Sequence, residues 1–163
     1  MGADAWGSLP NSDLGIWDEF IIPTHHFLRE ILGGEIGVGY AGYWGESLAP
    51  DPRAFVQRKL AVLGPGFGGC VFGLDPDLGR RGSEWFVATA QQFQRGLVLG
   101  IGSDLLYEGP LRDIALKIGQ CVRPAREKKV PLSIFFAQVR WDTPPAHVHA
   151  AVEAVRRSAM ENP

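Results

Sequence analysis

Cysteine is scarce in this chain of 163 residues: Cys70 and Cys121 stand far apart inside apolar segments. Two such thiols are too few for a disulfide scaffold and are expected as buried, reduced side chains. Charge of one sign is also lacking, since 16 basic residues against 18 acidic ones leave a net charge of −2. That balance supplies no electrostatic reason to expect nucleic acid or an anionic membrane as the partner. No apolar run approaches the roughly 18 residues that a membrane span requires. The opening stretch "MGADAWGSLPNSD" has no basic start followed by an apolar core, and no Ser or Thr at the sixth position. Neither secretion nor myristoylation is expected from it, and the location it suggests is cytoplasmic.

Several catalytic signatures are missing as well. No Gly-x-Ser-x-Gly elbow occurs, and "GIGSDLLYEG" places Leu105 where the third glycine of a dinucleotide fingerprint should stand. His147 and His149 are two apart in a helical pattern and so point to different faces. His25 and His26 are adjacent, with no cysteine or carboxylate at ligand spacing, so no metal site is expected of the histidines.

What is present is an ordinary globular composition, 45% hydrophobic and 21% charged, punctuated by 21 glycines and 12 prolines. From Glu35 onward four strand-helix units run in series. "EIGVGYAGY" precedes "DPRAFVQRKLAVLG", in which Asp51 caps, Pro52 opens, and Val56, Leu60 and Leu63 share a face. "FGGCVFGLD" precedes "SEWFVATAQQFQRG", where Phe86, Ala90 and Phe93 repeat at helical spacing. "GLVLGIGS" precedes "GPLRDIALKIGQCV", with Leu111, Ile114, Ala115 and Ile118 on a face. "VPLSIFFAQVRW" precedes "PPAHVHAAVEAVRRSA", with Thr143 as cap, Pro144 opening, and Val148, Val152 and Val155 inward.

The predicted strands are apolar throughout, as parallel strands covered on both faces must be. Short connections and right-handed crossovers then predict an α/β fold, a doubly wound parallel sheet of the flavodoxin-like kind with four to five strands. Residues 1–34, around "LGIWDEFIIPTHHFLREILGG", predict an N-terminal helical extension broken near Pro23. Trp17, Phe20 and Ile21 in it require a surface to bury against. Residues 35–163 form the α/β domain.

Ligands of open parallel sheets bind beyond the carboxyl ends of the strands. Tyr40, Tyr43, Trp44 and Glu46 come after the first predicted strand there, and Asp75, Asp77, Arg80 and Arg81 after the second. Ser103, Asp104, Glu108 and Asp113 come after the third, and Arg140, Trp141 and Asp142 after the fourth. A rim of rings, acids and arginines suits a ribose or a base. "LDPDLGRRG" has a second reading: a strand-end Asp-x-Asp can hold Mg²⁺ through hard oxygens. It echoes the Asp-Pro-Asp of Toprim nucleases, with Glu46 as the partner acid. The 29 residues from Glu46 to Asp75 leave room for one helix and no intervening strand, which is the wrong spacing.

Taken in order, these segments resemble a bacterial-type TIR (Toll/interleukin-1 receptor) domain from about Glu35 to Pro145. Tyr40-Ala41 in "EIGVGYAGY" are similar to the aromatic and small residue ending that family's first strand. Asp75 matches the aspartate ending the second, and Gly82 and Trp85 match the loop leading into the next helix. Ser103 comes after "LVLGIG" as a serine comes after that family's third strand, and "KKVPLSIF" and "VRWDTPP" are similar to the fourth strand and its proline-bearing sequel. The resemblance implies a signalling or defence module acting through self-association and protein partners, with no required cofactor.

Active members of that family hydrolyse NAD⁺ with a glutamate four residues after a tryptophan, early in the helix after the third strand. Leu111 stands at the tryptophan position here and Ala115 at the glutamate position. The resemblance therefore implies weak or no NAD⁺ cleavage. The available substitutes are Glu108 and Asp113, and NAD⁺, if it is a substrate, would lie against Tyr40, Trp44, Asp75, Arg80 and Ser103.

Overall fold

The computed structural model describes residues 13–32, 45–62, 70–136 and 139–160, apart from the side chains of Arg29, Glu46 and Val62. The first predicted strand, at residues 35–43, lies outside these residues. Leu63, Tyr40 and Trp44 also lie outside them.

Three strands are described, β1 (Val71–Gly73), β2 (Leu97–Ile101) and β3 (Leu132–Phe136). They form one parallel sheet in the order β1-β2-β3, with Val71 opposite Leu97 and Leu97 opposite Leu132. The α/β class and the parallel pairing are as the sequence predicts. The strand count is three among the described residues where four to five are expected. Parallel strands alternating with helices are compatible with a flavodoxin-like sheet. Here the second and third strands expected from the sequence hydrogen-bond directly to each other.

Every residue of β2 is buried, because it is flanked on both edges and covered by helices. Among the described residues β3 lies at the edge of the sheet, and Ser133 within it is exposed. Leu97 and Leu99 of β2 point to the side where α5 (Ser83–Phe93) and α7 (Leu111–Glu127) lie, and there they join Val71, Phe86, Ala90 and Cys121 in the main core. The alternate residues serve the other face. Phe72 and Phe135 meet there at 5.2 Å between ring centroids, on either side of Gly100. A Cβ on Gly100 would lie 2.6 Å from the Phe135 ring, so the missing side chain lets the rings close over the central strand.

The helix ends obey local chemistry. Asp51 Oδ1 accepts from the amides of Arg53 and Ala54 and so caps α3 (Pro52–Val62), with proline in the first turn. α7 carries Pro124, which cannot donate to the carbonyl four residues back at Gln120. The Ser83 hydroxyl at the start of α5 donates to that carbonyl at 2.7 Å, supplying the missing partner from a neighbouring helix. α8 (Pro145–Met160) packs on α7 through Ala151 and Ala154, with Val148 and Val155 partly buried beside them. Two expectations fail there. Val152 is exposed, because the alanine face makes the contact. Thr143 does not cap: its Oγ1 is buried without a partner, and the Pro144 carbonyl accepts the first helical amides instead.

Two short helices replace predicted loops, α4 (Asp75–Arg81) and α6 (Ser103–Glu108). Each begins within two residues of a strand end. The N-terminal segment is helical from Leu14 to Leu32, as α1 (Leu14–Ile16), a π-helical turn (Trp17–Ile21) and α2 (Ile22–Leu32). No break occurs at Pro23: the wide turn just before it accommodates the ring and the absent amide. Trp17 is buried edge-on against Phe55 of α3, at 4.8 Å between centroids. Phe20, expected to bury, is 57% exposed, and Ile21 is partly buried. Asp18 pairs with Arg58 of α3 at the surface.

Burial pushes the Cys121 thiol up to about 11 and raises the half-buried Cys70 as well, so both are poor nucleophiles. The crowding at Gly100 yields a direct test. Gly100→Ala should lower unfolding stability by about 1–3 kcal/mol, seen as a fall in the urea midpoint at unchanged slope.

Candidate functional site

The strand ends bring two groups of side chains together. The first is built on Asp75, the opening residue of α4. Its Oδ2 accepts from the Gly102 amide at 2.7 Å, tying the end of β1 to the end of β2. Its Oδ1 lies 2.8 Å from Lys117 Nζ of α7, an ion pair rather than an aligned hydrogen bond, because that oxygen makes none. A Cβ on Gly102 would lie 2.9 Å from Asp75 Oδ2, so the glycine admits the carboxylate.

Asp77 is wholly buried. Its Oδ2 accepts from the Leu74 amide at 3.0 Å, the reach-back contact that closes a helix N-terminus. Its Oδ1 accepts from the Ser47 hydroxyl. Ser47 lies in the 3₁₀ turn Glu46–Leu48, so this contact anchors that turn to the sheet. Arg80, half-exposed, approaches Asp77 only to 4.0 Å. The Asp-x-Asp pair is thus engaged in holding secondary structure together. Among the described residues, no group of three His, Cys, Asp or Glu side chains is placed to hold a metal ion.

The second group lies past β3. Arg140 clasps Asp142 through two hydrogen bonds, at 3.1 and 3.0 Å. Its guanidinium lies 3.8 Å from the centroid of the Tyr107 ring of α6, a close cation–π contact. The Arg140 hydrogen bonds hold the Asp142 carboxyl below its ordinary range, with a smaller contribution from the Tyr107 hydroxyl. Asp142 in turn raises Arg140, aided by Tyr107 and Glu108. Trp141 between them is 97% exposed.

The two acids named as substitutes lie at the junction of α6 and α7. Glu108 ends α6 and is exposed, near enough to Arg140 to act on its charge. Asp113 is in the first turn of α7, 43% exposed and 3.3 Å from Arg112 Nε. Ser103 opens α6 and is half-buried. The structure therefore brings Glu108 to the Arg140–Tyr107 group and leaves Asp113 with Arg112. Tyr107, Lys117 and Ser47 escape a sequence reading, since none belongs to a motif. The only signal is position: Tyr107 adjoins Glu108, and Lys117 stands one helical turn after Asp113. His147 is a tie of the same structural kind, its Nδ1–H donating to the Leu106 carbonyl at 2.9 Å.

No protein-family model, curated protein or solved structure matches this chain.

Two measurements test this assignment. Replacing Asp77 by alanine leaves the Leu74 amide and the Ser47 hydroxyl unpaired, and should cost about 2–4 kcal/mol for two buried groups. Urea unfolding with and without Mg²⁺ should show the same loss. A depressed folded-state pKa means that the clasp's contribution is complete above the ordinary aspartate titration and is lost only as pH falls below it. Tyr107 ring shifts in an NMR titration should therefore hold constant through neutral and mildly acidic pH and move only in stronger acid. In Asp142→Asn that step should vanish.

Proposed function

We propose that this chain is a TIR-like signalling or defence module that works through its surfaces, by self-association and protein partners, with weak or no NAD⁺ cleavage. The observation that carries this is the employment of the strand-end acids. Asp75 and Asp77 are taken up in joining β1 to its neighbours, and Glu108 and Asp113 lie toward solvent beside arginines. Stabilising positive charge on a ribose requires a carboxylate held to within about half an ångström by packed supports. An exposed glutamate at the last turn of a six-residue helix has no such support.

The TIR-like part of this reading rests on the order of strands and helices along the sequence and on parallel pairing. The module reading does not depend on that order. It draws support from Trp141, whose indole stands almost wholly in water beside a stacked arginine. Trp, Tyr and Arg are the side chains that most often dominate protein interfaces. No helix among the described residues is long and apolar enough to cross a membrane.

The second reading, NAD⁺ hydrolysis by Glu108, draws on the closeness of Glu108, Arg140 and Tyr107 at one mouth. The two are separated by incubating the protein with NAD⁺ at high protein concentration and measuring free nicotinamide. The expected result is release indistinguishable between wild type and Glu108→Gln. Release by the wild type that falls by roughly 100-fold or more in Glu108→Gln, the scale of losing one such electrostatic group, would establish the hydrolase reading instead.

A further inference from the structure

Two exposed surfaces among the described residues complement each other. The first is a stripe on the N-terminal helix. Ile16, Phe20, Phe27 and Ile31 are 43%, 57%, 59% and 60% exposed. Their spacings of four, seven and four residues place them along one side of a helix, opposite the Trp17 side that packs on α3. Glu19 and Glu30, both exposed, border this stripe along one edge. A contiguous apolar strip of this kind marks a contact surface.

The second is a cleft of about 630 Å³ along α7, walled on one side by Ser158 of α8. Its floor is Ala115, Leu116 and Gly119, and its rim is Arg112, Arg123 and Arg126. Leu116 is 62% exposed, and a Cβ on Gly119 would meet nothing within 4 Å, so the floor is open. The Arg126 Nη1–H donates to the Ser158 carbonyl at 2.9 Å and fixes the wall. Arg112 is 83% exposed, so its contact with Asp113 is a weak one.

We propose that the cleft receives the Leu14–Leu32 helix of a second copy of this chain. Charge complementarity selects this occupant. Glu19 and Glu30 are eleven residues apart, as are Arg112 and Arg123. On helices rising about 1.5 Å per residue, both pairs span about 16 Å. Acids can thus face arginines at both ends while Phe20 and Phe27 settle over Leu116 and Gly119. The contact joins different patches on the two copies, so it is head-to-tail and propagates into chains or rings. The inference gives the self-association proposed above a specific geometry. Nicotinamide release that depends on Glu108 would overturn that function and leave the interface untouched, whereas cleft and helix variants that still assemble like wild type would overturn this interface and leave self-association standing.

Sedimentation of the full chain over a concentration series tests it. The wild type should grow past a dimer as concentration rises, and shrink as salt screens the charges. Arg112→Glu/Arg123→Glu and Phe20→Glu/Phe27→Glu should each associate roughly tenfold or more weakly, given the cost of like charges and buried charge at an interface. Circular dichroism should show both variants folded. Mixed together they should form a 1:1 pair and stop, since one keeps a working helix and the other a working cleft. As a second variant set, Glu19→Arg/Glu30→Arg should regain assembly when combined in one chain with Arg112→Glu/Arg123→Glu. A wild type that stays monomeric, one that stops at a symmetric dimer, or variants that assemble like wild type would each overturn the proposal. So would a cleft that takes an unrelated acidic helical peptide in preference to this chain's own helix.

Discussion

One carboxylate joins three elements. Asp75 receives the Gly102 amide at one oxygen and faces the Lys117 ammonium at the other, so the end of β1, the end of β2 and the long helix α7 meet at a single side chain. Parallel strands have no hairpin to hold their register, and each must be pinned by the segment that leads away from it. Asp75 does this at the edge where the next helices begin, and Asp77 repeats the service two residues later for the Glu46–Leu48 turn. The apolar packing of β2, with Gly100 opened for Phe135, is then free to set the stacking of layers.

The consequence for function comes from satisfied valence. Carboxylates at the mouth of a parallel sheet are where a ligand would be sought, yet here the two that come after β1, Asp75 and Asp77, are already bonded to the chain itself. The exposed chemistry lies further out, on Trp141, beside Arg140 stacked over Tyr107, and on the arginine-rimmed cleft of α7. These are broad, exposed groups suited to recognising other surfaces.

Much of the architecture is legible in the sequence. The apolar runs at Val71–Gly73, Leu97–Ile101 and Leu132–Phe136 are strands as expected, and the Asp51-Pro52 signal opens a helix as capping chemistry requires. The strand-end helices are not legible as such. "LDPDLGRR" carries proline in the first turn and an aspartate at the third position, which is a helix start, but the same letters also spell an Asp-x-Asp metal motif. "SDLLYE" is a helix of six residues, shorter than the window in which periodicity becomes visible. Phe20 and Val152 depart from expectation for a different reason. Apolar identity predicts that a side chain seeks cover, while which flank of a helix receives it depends on the neighbour, and neither Phe55 nor Ala151 is announced by its spacing. Strand order is likewise a property of the assembled sheet, so direct β1–β2 pairing leaves no trace in the run of residues.

The proline within α7 has a mechanical meaning. At that point the helix is not self-sufficient, because the Gln120 carbonyl depends on a hydroxyl contributed by Ser83. The stretch from Gly119 to Arg126 is therefore spliced to its neighbour as well as stacked on it. A load applied to this end of the cleft would not be absorbed by local bending. It would travel through the splice into α5, and from Phe86, whose ring abuts Gly73, into the first strand of the sheet.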